Sequence, residues 1–360
     1  MTSSDGATSQ VGGRSESGLE QQLNQGIETK NCDVFRRAVS NVLSSPIAEI
    51  TYAQTIDGLP LSDVTLDTHD ATPCPGHPLL DERIELSPGV LEKARQLYSS
   101  FDATVLKFDS GVSRHYDGPI WGPVLTIQLL HAYQIAAPGS RAFQTTLIEL
   151  VARAIHNIAV WLFKQEPTLP PTNELVAWRP SEEDEDFYPN GYPPTLFWHP
   201  WYHDYDQYPE GVADIVGYWA ESRVFGGVVL FDRRCTSPGS DAASHDVYLH
   251  ADRRDVTYRI FKLLDEQKHD LVRFLLSDAT PETCPLPILG DLSNRERVDP
   301  EEPVELTGIY RDKWERKPLS KDDDDARLRD VIDLFNYLSQ DEWAAAKDRA
   351  MRKRVEFRRQ

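Results

Sequence analysis

The segment from Phe197 to Arg233, FWHPWYHDYDQYPEGVADIVGYWAESRVFGGVVLFDR, constrains this chain more than any other. It closes on an apolar run, Phe225 to Phe231, entered through Gly226-Gly227 and left through charged residues. A run that short, rich in valine and bounded by glycine, reads as a buried strand. Just ahead of it, Val212 to Val224 carries Ile215, Trp219 and Ala220 on a helical core face. The segment also gathers three Trp, two His and several carboxylates. Such side chains build ligand pockets and acid–base sites, and they equally build polar seams in ordinary cores.

Elsewhere helical periodicity dominates. Val34, Phe35, Ala38, Val39 and Val42 recur at helical spacing over Asp33–Leu43, and Pro46 stops that run. Ser87 as N-cap and Pro88 at the first helical position open a helix through Val90, Leu91, Ala94, Leu97 and Tyr98. Val124–Ala137 is apolar nearly all round and reads as a buried helix ended by Pro138-Gly139. Arg141–Lys164 has a wide apolar stripe from Phe143 to Leu162. Helical period returns over Tyr258–Leu276 and Leu328–Leu338, and Pro281–Lys321 reads mostly as loop. Ser339-Gln340-Asp341-Glu342 is a capping box for a last helix. Val247–His250 is the expected partner strand for Phe225–Phe231. The expected class is therefore α+β, predominantly helical with one small antiparallel sheet.

Residues 1–30 carry few apolar side chains and are expected to be disordered. Residues 31–164 form a helical N-terminal part and 196–360 an α+β C-terminal part. Between them, residues 165–195 hold seven prolines and the acidic run Glu182–Asp186, as a linker or a long surface loop. A single domain over 31–360 is the alternative.

Lys+Arg number 38 against 58 Asp+Glu, a net charge of −20. That field repels phosphate backbones and anionic lipid, so neither nucleic acid nor a membrane is an expected partner. Cys32, Cys74, Cys235 and Cys284 are too widely spaced for a disulfide framework and read as free thiols of a reducing compartment. The first thirty residues hold no apolar secretory core. Ile120–Ala137 is broken by Gly122, Pro123, Gln128, His131 and Gln134, short of the ~20 apolar residues of a spanning helix. The expected location is the cytoplasm.

Three clusters could carry chemistry. Asp214, Tyr218 and Glu221 fall at i, i+4 and i+7, on one face of the Val212–Val224 helix. A carboxylate among apolar rings has its pKa raised by desolvation and can serve as a general acid or base. The plainer reading pairs Glu221 with Arg223 or Arg153 and lets Asp214 cap the helix. His199 and His203, four apart and followed by Asp204 and Asp206, offer metal-ligand types but lack the intervening Glu of HExxH. Their alternative is an aromatic loop whose polar groups satisfy one another. His69, Cys74 and His77 suit zinc in type and would need Cys235 or Asp67 as a fourth ligand. Otherwise they belong to a proline-rich loop.

His131 and His156 read as satisfied core or boundary histidines. The basic tail, with Arg352-Lys353-Arg354 and Arg358-Arg359, suits the negative end of a helix. No GxGxxG, GxxxxGK[ST] or GxSxG motif occurs, so dinucleotide, ATP and acyl-transfer chemistry lack a signature. Neither a metal nor a cofactor is expected.

The run from Tyr208 through Arg233, YPEGVADIVGYWAESRVFGGVVLFDR, resembles a family of filamentous-fungal proteins without an assigned activity. The likeness extends through VYLHADRR toward the helix expected near Tyr258. It implies a fungal, intracellular protein and assigns no catalytic residue.

Two expectations follow. In the first, a small organic molecule sits in a pocket lined by Trp198, His199, Trp201, Tyr218 and Trp219. Asp214, Glu221 and His203 would then supply cofactor-independent acid–base chemistry of isomerase, dehydratase or cyclase type. In the second, a non-catalytic scaffold uses the aromatics as a binding face for a protein partner. Burial separates them.

Overall fold

The computed structural model describes residues 30–68, 74–100, 107–109, 124–188, 191–234, 244–278, 284–300, 302–317, 337 and 339–358. The disorder expected before Lys30 and the helix expected over Leu328–Leu338 lie outside these residues.

Helix α1 (Lys30–Leu43) ends before Pro46, but that proline opens a second helix instead of a loop, α2 (Pro46–Asp57). Ser45 caps α2 by accepting from the Ala48 amide, and proline is tolerated at the first position because its missing N–H has no helical partner there. Helix α3 (Val90–Ser100) follows as expected. Val124–Thr126 proves to be a strand, β2, paired in parallel with β1 (Lys107–Asp109) before α4 (Ile127–Ile135) begins. Helix α5 (Arg141–Phe163) is capped by Ser140, whose hydroxyl accepts from the Phe143 amide. It is long and apolar enough to cross a membrane, yet 72% of its most apolar window is covered by protein, as in a core helix.

Helix α6 (Val212–Phe225) ends at Gly226, whose φ of 95° is a left-handed cap. Strand β3 (Val228–Asp232) is then an interior strand, next to the β7 edge, of a five-stranded antiparallel sheet of order β6-β5-β4-β3-β7. Its neighbours are β4 (Val247–His250), the expected partner, and β7 (Ile309–Tyr310). The expectation of helix from Tyr258 is corrected at its start. Ile260–Lys262 is strand β5, and α7 (Asp265–Leu275) begins only after Leu264, whose amide is accepted by Gln267. Within the expected loop, Arg297–Val298 forms β6. Helix α8 (Gln340–Arg358) is the last element. The class is α+β and predominantly helical.

The sheet is buried on both faces. Val229, Phe231, Val247, Leu249 and Phe261 join a core that draws on residues from Phe35 to Ile288, including α1, α5 and α7. Val228, Leu230, Tyr248, Ile260 and Ile309 alternate with them and meet a separate aromatic layer of Tyr202, Tyr208 and Tyr218. That double burial is why β3 reads as a continuous apolar run. Residues 165–195 are tied to α2, with Thr168 and Leu169 donating to the carbonyls of Ile56 and Asp57 at 3.0 and 3.1 Å. Leu169 and Leu196 pack with Leu59, Cys74 and Leu79.

Candidate functional site

The acids singled out on α6 meet α5, not a cleft. α5 and α6 approach closely because residue 217 is glycine: a Cβ there would lie 2.6 Å from the His156 ring. His156 fills that space and stands between both carboxylates. Its Nε2 is 3.0 Å from Asp214 Oδ1, and its Nδ1 is 3.4 Å from Glu221 Oε2. Asp214 also accepts the Glu210 amide at 2.8 Å, fixing the entry to α6. Glu221 accepts the Val229 amide at 2.8 Å, which pins the start of β3.

The segment after β7 completes the cluster. Arg311 Nη1 lies 2.7 Å from each Glu221 oxygen. Asp312 takes both terminal nitrogens of Arg153, at 3.0 and 3.1 Å. Arg153 reaches Glu149 at 3.2 Å, and Arg233 reaches Glu149 at 2.7 Å. The four carboxylates Asp214, Glu221, Glu149 and Asp312 thus face the three guanidiniums of Arg311, Arg153 and Arg233. A protonated His156 brings the set to electrical balance.

The local fields agree with that count. Burial alone would lower the His156 pKa, but its contacts with Asp214 and Glu221 outweigh burial and raise it. Burial would raise Glu221, but the Arg311 charge and His156 hold it below the usual carboxylate range. Glu315 accepts the amides of Arg311 and Asp312, and burial pushes its pKa up to about 7 against the pull of Arg316 and Arg311. Glu221 and Glu315 are 0% exposed and His156 only 6%. Chemically, the arrangement holds a proton between two carboxylates and keeps it from solvent.

The remaining residues singled out in the sequence are dispersed. Tyr218 lies edge-on to His156 at 4.5 Å and stacks on Tyr202 at 4.6 Å. Trp219 turns to the main core and packs on Phe197 at 4.6 Å. His203 is away from the acids, stacked at 4.7 Å on the half-buried Trp198. His199 is fully buried: its Nε2 donates to the His250 carbonyl at 3.2 Å and its Nδ1 accepts the Trp201 amide. Burial lowers its pKa to about 4, so it is neutral. Half-buried Trp201 lies 5.8 Å from the His250 ring.

The ligand-type clusters fare similarly. Cys74 is buried beneath Leu59 and Leu79. His77 accepts the Leu79 amide at 2.9 Å and packs on Trp178. His69 and Cys235 lie outside the described residues. Among the described residues, no group of three or more His, Cys, Asp or Glu side chains could hold a metal ion.

A concave surface lies instead by the β5–β6 edge. A depression of about 290 Å³ is lined by Arg234, Arg259, Arg297, Asp299, Glu302 and Thr307, among others. Next in sequence to the lining residue Asp299, the Pro300 carbonyl accepts from Arg316 at 3.3 Å, as does the Ile309 carbonyl at 3.0 Å. Sequence reasoning missed both the depression and the Arg311–Arg316 charge run. One signal was Gly217 inside an otherwise good helix, which marks a close approach.

No family model matches the chain, and no curated protein or solved structure matches it at significant similarity.

Proposed function

We propose that this protein binds a small polar molecule in the depression beside Arg234, Arg259 and Arg297, and that the buried acid–base cluster is its frame. The carrying observation is the division of polar groups. Asp214, Glu221 and His156 are in ion-pair contact with one another, and Glu221 also with Arg311, away from solvent. The concave surface instead presents charged side chains, of which Arg234 is held by Asp232 and Arg297 by the Asn294 and Asp291 carbonyls. Arg311, Glu315 and Arg316 link the two, because they continue directly from β7 and the wall of the depression. Preorganised polar groups in a concavity lower the ordering cost of binding.

A cytoplasmic setting belongs to this reading, supported by Cys32, Cys74 and Cys284 being thiols outside any disulfide. So does fungal origin, supported by the resemblance of the 208–233 segment. An acid–base reaction at Asp214 and Glu221 would require α6 to part from α5. The scaffold reading draws on the Trp198–His203 stack and on Tyr205 and Trp314, which are exposed to 47% and 38%.

The test is a thermal-shift screen of polar metabolites against the wild type, Leu306→Trp at the mouth of the depression, and Trp198→Ala. The expected hits stabilise the wild type and Trp198→Ala, and lose their effect with Leu306→Trp. Hits lost only with Trp198→Ala would move the ligand to the aromatic segment and sink the proposal.

A further inference from the structure

We infer that the protein binds a water molecule internally at the Tyr218 hydroxyl, between its aromatic layer and the segment that follows β7. The site is separate from the depression, since none of the residues that form it lines that surface.

Tyr202, Tyr208 and Tyr218 are all buried in the aromatic layer, and two of the three hydroxyls have protein partners. In the neutral His250 ring, Nε2 donates to the Tyr258 carbonyl at 3.0 Å, which leaves Nδ1 to accept from the Tyr202 hydroxyl at 3.1 Å. Tyr208 donates to the Glu315 carbonyl at 3.0 Å. Tyr218 is fully buried, and its hydroxyl has no hydrogen-bond partner among the described residues. Its ring is held in place, stacked on Tyr202 at 4.6 Å and met edge-on by His156 at 4.5 Å. A hydroxyl shut away without a partner forfeits its hydration. Such groups are met by buried water, which typically makes about three hydrogen bonds.

The segment facing it carries further unmatched donors. The Arg311 guanidinium lies over the Tyr218 ring, 5.4 Å from its centre, and its Nε–H has no hydrogen-bond partner among the described residues. The Arg316 Nε–H is likewise unmatched, 3.8 Å from Glu315 Oε1 and beyond hydrogen-bond reach. After burial, the charges of Arg311 and Glu315 act most strongly on the Tyr218 hydroxyl, which burial keeps protonated. O–H and N–H donors beside an accepting carboxylate call for a molecule that can both accept and donate. Charge decides against an ion. Glu315 and Arg316 add one charge of each sign to the balanced set around His156. A chloride or a metal ion would therefore leave a net charge sealed from solvent. Water has both hydrogen-bonding roles and no charge. Bound there, it ties the 311–316 segment to α6 a second time, beside the Arg311–Glu221 pair.

The experiment is a crystal structure of the full chain at a resolution that shows ordered water, from crystals grown with bromide in place of chloride. Urea unfolding of the wild type, Tyr218→Phe and Tyr202→Phe accompanies it. A density peak is expected within hydrogen-bond distance of the Tyr218 hydroxyl oxygen, with no anomalous signal from bromide. Tyr202→Phe removes a hydroxyl whose partner is His250, and it should lower the unfolding midpoint. Tyr218→Phe should lower it as well, because the hydroxyl it removes is bonded to the water. An anomalous peak at the hydroxyl would put an anion there and overturn the proposal. No peak at all would overturn it too. So would a midpoint raised by Tyr218→Phe, the result expected from deleting a buried hydroxyl that has no partner.

Discussion

Arg311 reaches Glu221 across 90 residues of sequence and grips both carboxylate oxygens from a single nitrogen, with each side chain shut away from solvent. Through this pair the segment after β7 is fastened to α6, and through the Val229 amide to the start of β3. Such a pair contributes little net stability when intact, because desolvating two charges offsets their attraction. Breaking it is another matter.

Glu221→Leu strands a buried guanidinium, and Arg311→Met strands a buried carboxylate. Each is expected to cost about 3–5 kcal/mol, read from urea unfolding at pH 7. The double variant should lose clearly less than the sum of the two. Additive losses would show that the two side chains do not act as a unit.

Stability should fall on the alkaline side of neutrality. The His156 pKa is raised in the fold, so its contribution is complete below about 6.5 and is lost as pH rises through the folded value. Glu315 acts in a lower window: its folded pKa is raised to about 7, so its contribution is complete below about 4.5 and is lost as pH rises from there to about 7. His199, lowered to about 4, acts oppositely: stability rises between about pH 4 and 6.5 as the unfolded chain gives up its proton. Between about pH 4.5 and 6.5 the Glu315 and His199 slopes oppose each other, so unfolding free energies should change little there and decline above pH 6.5. Glu315→Gln should remove the opposing slope, so that stability rises from about pH 4.5 to 6.5, and an unchanged profile would place the titration elsewhere.

Gly217→Ala is expected to destabilise, although alanine favours a helix by about 1 kcal/mol over glycine. The added methyl meets the His156 ring, and overpacking of this kind costs about 1–3 kcal/mol. In a His156→Ala background the same change should become neutral or stabilising. A destabilisation independent of residue 156 would mean that α5 and α6 do not meet there.

Thiol reactivity separates the cysteines. Burial pushes the Cys74 thiol up to about 12, and the residue is fully covered. It should react with an aromatic disulfide reagent only after denaturation, whereas the exposed Cys284 reacts in the native protein. Rapid native labelling of Cys74 would contradict its packing against Leu59 and Leu79.

Elements with a strong period were legible in the sequence. The apolar stripe of α5 and the valine-rich β3 announce themselves because each buries a long, regular set of side chains. Strands β5, β6 and β7 were not legible, since two or three residues carry no measurable period and their pairing is tertiary. The same limit applies to the site. Spacing on α6 placed Asp214 and Glu221 on one face, and the structure brings them to one histidine. Their environment is set by Arg311 and by a glycine in mid-helix, neither of which local pattern reveals. His203 shows the converse: near in sequence, it points to Trp198 instead.

A charge-balanced cluster with a proton resident on His156 joins α5, α6 and the segment after β7. The most direct measurement is the pair of side-chain nitrogen chemical shifts of His156, assigned with a His156→Gln variant, at pH 6.5 and above. At pH 6.5 the ring is expected to be an imidazolium with both nitrogens protonated, losing its charge only at higher pH. A neutral ring at pH 6.5, with one bare nitrogen, would contradict it.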